Sequence, residues 1–564
     1  MQFTGAQILM KVLKEEGVET IFGYPGGAVL DIYNELMNTN FKHILVRQEQ
    51  GAVHAADAYA RVSGKTGVCL VTSGPGATNT ITGVASAYCD SIPVVILTGQ
   101  VPTPLIGNDA FQEVDIVGIS RPCTKHNYLV KDVKDLARIL REAFYIARSG
   151  RPGPVLVDMP KDVINARAAY DPPGQVALKS YNPTYEPNVK QLRKVIDLVK
   201  TARKPVIFSG GGIIFSGAAK ELTRFAKKTR IPVTSTLMGL GAFPATDPLW
   251  LGMPGMHGTY RANLSLTDCD LLIAVGVRFD DRVTGKTSAF AANATIVHID
   301  IDPTSIQKNV KVAIPIVGDC KSALTRLNKM VEEEKDFLDD KTKKERTAWA
   351  RQIEEWKSTK PLAYTQTDVI KPQFVVEKLY ELTKGEAIIT TEVGQNQMWA
   401  AQYYHFTRPG QFITSGGLGV MGFGLPAAVG AQVAAPDQIV IDIAGDGSIQ
   451  MNIQEMMTAV SHNLPVKIAI LNNGFLGMVR QWQELFYDRR YAWTDMAAAP
   501  DFVKLAEAYG ALGLRATKPE EVVPVIKKAL AEPRAVIMDF VVEREENVYP
   551  MVPAGSPITN MILV

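Results

Sequence analysis

The chain has 564 residues, 46% of them hydrophobic and 21% charged, with 60 Lys and Arg against 58 Asp and Glu. That length exceeds what one hydrophobic core supports, so two to four domains are expected, three being the natural number; the near-neutral charge gives no electrostatic case for a nucleic-acid or membrane partner. Five scattered cysteines without a CxxC spacing indicate neither a disulfide framework nor a zinc site and suit a reducing cytoplasm.

In chain order, the opening MQFTGAQILMKVLKEEG breaks its apolar stretch with Lys11, Lys14, Glu15 and Glu16, which argues against a secretory leader. No later run approaches the roughly 18 to 20 apolar residues of a membrane span. HILVRQEQGAVHAADAYARVSG passes from an apolar strand into an Ala-rich helix with Glu49 at the junction, and GVCLVTSGPGATN leads to SIPVVILTG. The Pro-, Asn- and Tyr-rich stretch around 165 to 190 reads as a linker. KPVIFSGGG and RIPVTSTLMG come next, then a charge-dense run of helical character around 331 to 370 that reads as a second linker, then QIVIDIAGDGS and NLPVKIAILNN.

One pattern therefore recurs: an apolar strand, a Gly-rich turn, a helix, and a Pro-Val entry into another strand. It spans Gly74 to Pro93, Gly210 to Pro232 and Gly445 to Pro465. The pattern predicts an α/β protein of three doubly wound parallel-sheet domains over 1–165, 190–330 and 370–545, with a C-terminal tail at 546–564. Ligands of such sheets bind beyond the carboxyl ends of the strands, where these turns lie.

Two places carry chemistry. Gly445-Asp446-Gly447-Ser448 follows one apolar strand, and Asn472-Asn473 follows another, with Asn473 27 residues after Asp446. A carboxylate, an amide carbonyl and a main-chain carbonyl are hard oxygen ligands that suit Mg²⁺ beside diphosphate oxygens, Gly447 lets the backbone approach phosphate, and the helix start adds its dipole. This spacing is the signature of thiamine-diphosphate enzymes. Such an enzyme also needs a carboxylate to hydrogen-bond the aminopyrimidine ring, and Glu49 is the candidate, although an acid before a helix is by default only favourable to the dipole.

YPGGAVLDIY, RQEQGA, TSGPGATN, GNDAFQE, SGRPGPVLVDMPKDV, RFDDRVTG, GGLGVMGFGLPAA, GDGS, LNN with GMVRQWQELFY, and ENVYPMVPAGSP together resemble the catalytic large subunits of the acetohydroxyacid synthase family, over essentially the whole chain. The resemblance implies decarboxylation of pyruvate and transfer of the hydroxyethyl unit to a second 2-ketoacid, with thiamine diphosphate, Mg²⁺ and FAD. It implies Asp446, Asn473 and the carbonyl of Phe475 as metal ligands. Tyr24, Pro25, Thr72, Pro75, Asn79 and Gln112 would line the pyrimidine side; Gly394, Gln395, Asn396, Gly419, Met421, Gly447, Ser448 and Met478 would line the diphosphate side, with Met421 bending the cofactor. For FAD it implies Arg151, Gly210, Gly211, Gly212, Met256, His257, Gly276, Arg278, Asp300, Gly318 and Asp319, and for the substrates Gly27, Phe111, Gln112, Lys161, Arg282 and Trp482. Many relatives read GQHQ where this chain has Gly394-Gln395-Asn396-Gln397; an amide can still donate to phosphate oxygen, so altered cofactor affinity at most is expected. The resemblance further implies a homodimer or homotetramer with active sites between subunits, and a small regulatory subunit. Rival readings are a catabolic acetolactate synthase, which lacks RFDDRVTG, pyruvate oxidase, which passes electrons to its flavin, a simple 2-ketoacid decarboxylase, and a non-catalytic homologue, against which the intact Glu49, Asp446 and Asn473 argue.

Overall fold

The computed structural model describes residues 1–172 and 174–563; Pro173 of the expected first linker and Val564 of the expected tail lie outside them. The described chain forms two compact units. One comprises Met1–Asn182, Ala387–Asn396 and Ile413–Arg544, the other Pro183–Glu386, Gln397–Phe412 and the chain from Glu545 onward.

The first unit holds two six-stranded sheets of one design. In the N-terminal sheet the strands lie in the order Lys42–Leu45, Thr20–Tyr24, Gly67–Val71, Val94–Gln100, Val155–Pro160, His126–Leu129. The C-terminal sheet has Phe412–Ile413 at its edge, then Ile388–Thr391, Val440–Gly445, Lys467–Asn472, Val536–Val541 and Leu512–Ala516. In both, the first strand of the sequence neighbours the second on one side and the third on the other, so the chain reverses direction across the sheet beside it. Runs such as GVCLV at 67–71 are buried throughout, as strands covered on both faces must be.

The helix Glu49–Ser63 begins where the Gln48 side chain accepts from the main-chain N–H groups of Gln50 and Gly51, and ends at Gly64 in a left-handed conformation (φ 71°), as cap chemistry favours. It packs on the helix Gly424–Ala434. Small residues permit that approach, since a side chain at Gly430 would stand 1.9 Å from the Ala55 carbonyl oxygen.

The second unit holds a five-stranded parallel sheet in the order Val233–Ser235, Pro205–Ser209, Leu271–Val275, Thr295–Asp300, Ile314–Val317, with the same reversal. Three parallel α/β sheets thus match the expected fold class. The three recurring segments are not equivalent, however. GVCLV with SIPVV, and QIVIDIA with NLPVKIAIL, supply the third and fourth strands of their sheets, whereas KPVIFS with RIPVTS supplies the first and second. The charge-dense run contains the helix Asp340–Thr359, which docks on this unit: Trp349 and Ile353 are buried, and the Trp349 indole N–H donates to the Pro205 carbonyl at 3.3 Å.

Candidate active site

In the N-terminal sheet the functional turns flank the point where the strand order reverses, the place where open α/β sheets bind ligands. Thr20–Tyr24 runs into Pro25-Gly26-Gly27, and Gly67–Val71 runs into Thr72. A side chain at Gly26 would meet Thr72 Cβ at 2.5 Å, whereas one at Gly27 would meet nothing within 4 Å, so the second glycine faces open space. Lys161 Nζ donates to the Gly27 carbonyl at 3.2 Å, and Thr72 Oγ1 is buried without a partner.

Glu49, at the head of its helix, accepts a hydrogen bond at Oε2 from Asn79 Nδ2 at 2.9 Å. Its Oε1 lies 3.4 Å from where a side chain at Gly76 would begin. The Gly74-Pro75 turn is pressed against Gln112: a Cβ on Gly74 would be 2.7 Å from the Gln112 carbonyl oxygen, and Gln112 itself has a left-handed backbone (φ 59°), a strained state that concentrates at binding loops. The same unit thus gathers Thr72, Pro75, Asn79, Gln112 and Glu49, with Gly27 tied to Lys161. Tyr24 is exposed and Phe111 is 88% exposed. Arg151, expected at the flavin, donates through Nε to Ser91 Oγ at 2.8 Å.

In the C-terminal sheet Gly445-Asp446 and Asn473 follow neighbouring parallel strands. Asp446 Oδ1 accepts the main-chain N–H of Asn473 at 3.4 Å, and Oδ2 is buried without a partner. Burial raises this carboxyl to about 7, against the pull of main-chain N–H groups and of the Arg544 cation. Asn473 Oδ1 accepts the N–H of Phe475 at 3.1 Å, and its Nδ2 donates to Gln395 Oε1 at 3.2 Å. Gln395 in turn donates to Gln481 Oε1 at 2.9 Å, bringing the helix Gly477–Phe486, with Met478 and Trp482, against the site. The orphaned carboxylate oxygen, with Asn473 beside it, fits a hard divalent cation. Among the described residues no cluster of three or more His, Cys, Asp or Glu side chains offers another metal set. A side chain at Gly447 would strike Leu476 Cδ2 at 2.7 Å, and Ser448 Oγ donates to the Gly445 carbonyl at 3.2 Å.

Asn396 departs from expectation. Its amide hydrogens go to the main-chain carbonyls of Glu392 at 3.0 Å and Ile443 at 2.7 Å, buried acceptors at strand ends that require donors. Its Oδ1 faces the α carbon sides of Gly394 and Gly445. The donor expected to reach a phosphate is therefore spent on the chain.

Two buried acids are not among the expected site residues. Glu392 accepts from the N–H groups of Gly422 at 2.6 Å and Leu425 at 3.2 Å, and so anchors the GGLGVMGFG loop that carries Gly419 and Met421. Glu455 is taken up below. Glu392 did bear a sign in the sequence, an acid between the apolar strand AIITT and a glycine turn, the same mark that singled out Asp446.

In the second unit Gly210 and Gly276 sit at the sheet's reversal point. Gly212 N–H donates to the Gly276 carbonyl at 3.1 Å, and a side chain at Gly210 would stand 2.2 Å from that oxygen. Asp300 ends its strand, with Oδ1 accepting from Asp302 N–H at 2.8 Å. Gly318 N–H donates to the Asp300 carbonyl at 3.0 Å. Asp319 caps the helix Cys320–Glu332, its Oδ1 accepting from Ser322 N–H at 2.8 Å. His257 is buried, its ring pushed down to about 4 by desolvation; Nδ1 donates to the Pro550 carbonyl at 3.1 Å, and Nε2 is buried without a partner. That bare nitrogen beside Met256 suits a ligand with a donor of its own, such as a flavin ring. The C-terminal segment runs over this region, Val552 N–H donating to the Met256 carbonyl at 2.9 Å. Arg282 has its carbonyl bonded by Met256 N–H at 2.7 Å while its side chain is about half exposed; Arg278 accepts at its carbonyl from Asn309 Nδ2 at 3.2 Å.

Comparison with known proteins gives the family of the three domains. Residues 3–119 match the family described as thiamine pyrophosphate enzyme, N-terminal TPP binding domain; 192–327 match its central domain, and 392–540 its C-terminal TPP binding domain. The acetolactate synthase large subunit of Haemophilus influenzae is 50% identical, over 100% of this chain and 98% of its own length. The acetolactate synthase isozyme 3 large subunit of Escherichia coli K12 is 50% identical, over 99% and 98%. Acetolactate synthase 1, chloroplastic, of Nicotiana tabacum is 48% identical, over 99% and 84%. With its three sheets, its Asp446–Asn473 pair and this breadth of likeness, the chain belongs to the acetolactate synthase large-subunit family of thiamine-diphosphate enzymes.

Proposed function

We propose that this chain decarboxylates pyruvate and joins the two-carbon remainder to a second 2-ketoacid, giving 2-acetolactate from pyruvate or 2-aceto-2-hydroxybutyrate from 2-ketobutyrate, in branched-chain amino-acid biosynthesis. The observation that carries the reading is the buried, unpartnered Oδ2 of Asp446 beside Asn473, which fits Mg²⁺ holding a diphosphate. Bound thiamine diphosphate supplies the carbon nucleophile and the electron sink.

The chain's own residues bind, orient and move protons. Asp446, Asn473 and the Phe475 carbonyl would hold the metal. Glu49, with Oε2 taken by Asn79, would hold the aminopyrimidine ring of bound cofactor by a hydrogen bond and supply the acid–base group there. Lys161 steadies the open Gly26-Gly27 turn, where the ketoacids enter. Arg282 presents a planar fork that holds the acceptor carboxylate by two parallel hydrogen bonds. FAD would be held by Gly210–Gly212, Gly276, Asp300 and the Met256-His257 segment in a structural role, since joining two ketoacids moves no net electrons.

The exposed Phe111 and Tyr24 support active sites completed between subunits of a homodimer or homotetramer. The large-subunit names of the relatives support a small regulatory partner. Five cysteines outside any disulfide accord with a cytoplasmic site of action; among the described residues no helix is long and apolar enough to cross a membrane.

The test is purification with thiamine diphosphate, Mg²⁺ and FAD, followed by product analysis from pyruvate alone and from pyruvate plus 2-ketobutyrate. Acetolactate, and its homologue in the mixture, is the expected outcome. Free acetaldehyde as main product, or flavin reduction by pyruvate at the catalytic rate, overturns it in favour of a decarboxylase or an oxidase.

A further inference from the structure

The turn that delivers Glu49 is held by a second acid. Glu455 heads the helix Glu455–Ser461 in the C-terminal part of the same unit, and only 1% of it is exposed. Its Oε1 accepts the main-chain N–H of Arg47 at 3.0 Å, and its Oε2 accepts the Thr458 hydroxyl at 2.6 Å. The Gln48 N–H also points to this carboxylate, and burial raises its carboxyl to about 7 against the pull of these bonds.

The rest of that short helix fastens the same turn. Leu45 N–H donates to His462 Nε2 at 3.1 Å, and Arg47 Nη2 donates to Ser461 Oγ at 3.3 Å. Every residue from Leu45 to Gln48 except Val46 is therefore bonded to the segment 455–462, and Glu49 follows immediately. The approach is close enough to dictate a residue type on the other helix: a side chain on Gly51 would stand 2.6 Å from Glu455 Oε1, a contact no Cβ can make. Gly51 lies in the first turn of Glu49–Ser63, so Glu455 fixes both the height and the rotation of the turn from which Glu49 projects.

We propose that Glu455 is a positioning residue for Glu49, acting through the Arg47-Gln48 main chain and the glycine contact at position 51 without touching cofactor or substrate. This rests on the role proposed above for Glu49. A displacement of about 1 Å in a reacting group can cost as much as 100-fold in rate, so the geometry of this brace bears directly on the proton transfer at Glu49. A brace needed only for folding would affect stability and cofactor retention and leave that transfer untouched once cofactor is bound.

The readout is hydrogen–deuterium exchange at the thiazolium carbon of bound thiamine diphosphate, measured by acid quench and proton NMR on holoenzyme saturated with thiamine diphosphate and Mg²⁺, without ketoacid. Glu455→Ala should slow exchange about tenfold or more at full cofactor occupancy. Glu455→Gln keeps an acceptor for Arg47 N–H and a donor for the Thr458 oxygen, so it should recover most of the rate. Gly51→Ala, which pushes on the carboxylate from the opposite side, should slow exchange as Glu455→Ala does, and decides the matter if the latter fails to fold. Glu49→Gln is the reference. If Glu49→Gln exchanges at the wild-type rate, the assignment of Glu49 falls and the inference with it. If Glu49→Gln is slow while Glu455→Ala or Gly51→Ala exchanges normally, the inference alone falls, as it does if Glu455→Gln is as slow as Glu455→Ala.

Discussion

Asn473 donates its main-chain N–H to Asp446 Oδ1 at 3.4 Å, and the other carboxylate oxygen of Asp446 is left buried and bare. A carboxylate placed so waits for a cation. Asp446→Asn keeps the shape and removes the charge, so the Mg²⁺-dependent affinity for thiamine diphosphate should fall at least tenfold, about 1.4 kcal/mol or more. Calorimetric titration of the apoenzyme at fixed Mg²⁺ measures it; unchanged affinity would place the metal elsewhere.

Glu49→Gln preserves the Asn79 contact in outline and removes the acid. Turnover should drop by about two orders of magnitude or more, the scale of lost acid–base assistance, with cofactor affinity within a few-fold of wild type. Near-normal steady-state turnover from pyruvate would dismiss Glu49 from its role.

The legible parts of this site were those where one residue type is demanded at one point of a strand-turn-helix unit. Asp446 and Asn473 each stand just past the end of an apolar strand, and Glu49 stands at the head of the helix that follows another. Glu455 was not legible, because its partners are main-chain N–H groups of Arg47 and Gln48, which any sequence supplies, and a contact with Gly51 some four hundred positions away. The three recurring segments revealed the α/β fold because strand, turn, helix and strand take similar lengths in any parallel crossover. For the same reason they could not tell the first and second strands of the middle sheet from the third and fourth of the others. The helix Asp340–Thr359 read as a linker because its charges outnumber its stripe of Arg346, Trp349 and Ile353, which alone is buried along with Thr342.

Asn396→Ala would take its amide donor from the buried Glu392 carbonyl, and one donor from the Ile443 carbonyl, which keeps the Glu392 N–H at 3.2 Å. Unsatisfied buried acceptors cost about 1–3 kcal/mol, so the thermal midpoint of the apoenzyme should fall by several degrees. Affinity for thiamine diphosphate should change less than tenfold, because both amide hydrogens are already given to main-chain carbonyls. A large loss of affinity with an unchanged melting temperature would restore Asn396 to the phosphate.

Burial pushes the His54 ring down to about 3; it packs edge-on against Phe423 at 5.1 Å and shares Nε2 with Gln50 at 3.3 Å, with Arg61 the nearby cation. The folded state keeps it neutral while the unfolded chain binds a proton below about pH 6.5, so its contribution to stability is present at neutral pH and is lost as pH falls from about 6.5 toward 3. At pH 5 the loss is about 2 kcal/mol. His54→Phe cannot titrate. Urea midpoints of wild type and variant, compared at pH 7 and pH 5, should shift in the variant's favour at the lower pH, and an equal difference at both would mean that the folded protein accommodates the charge.

Trp482 lies on the helix Gly477–Phe486, next to Gln481, which is buried and bonded to Gln395 beside the metal pair. Its indole is edge-on to Phe486 at 6.4 Å and only partly buried, so a broad apolar face stands one residue from the innermost part of the site. In the proposed reaction that face receives the alkyl group of the acceptor. An extra methylene against such a surface is worth about 1 to 3 kcal/mol, tenfold and more in preference. Trp482→Leu should therefore lower the preference for 2-ketobutyrate over pyruvate about tenfold, while turnover with pyruvate alone changes little. Arg282→Ala, which removes the carboxylate fork common to both acceptors, should weaken both alike. The ratio of the two products formed in competition reads the difference directly, and an identical ratio in wild type and Trp482→Leu would move the determinant of acceptor choice away from this indole.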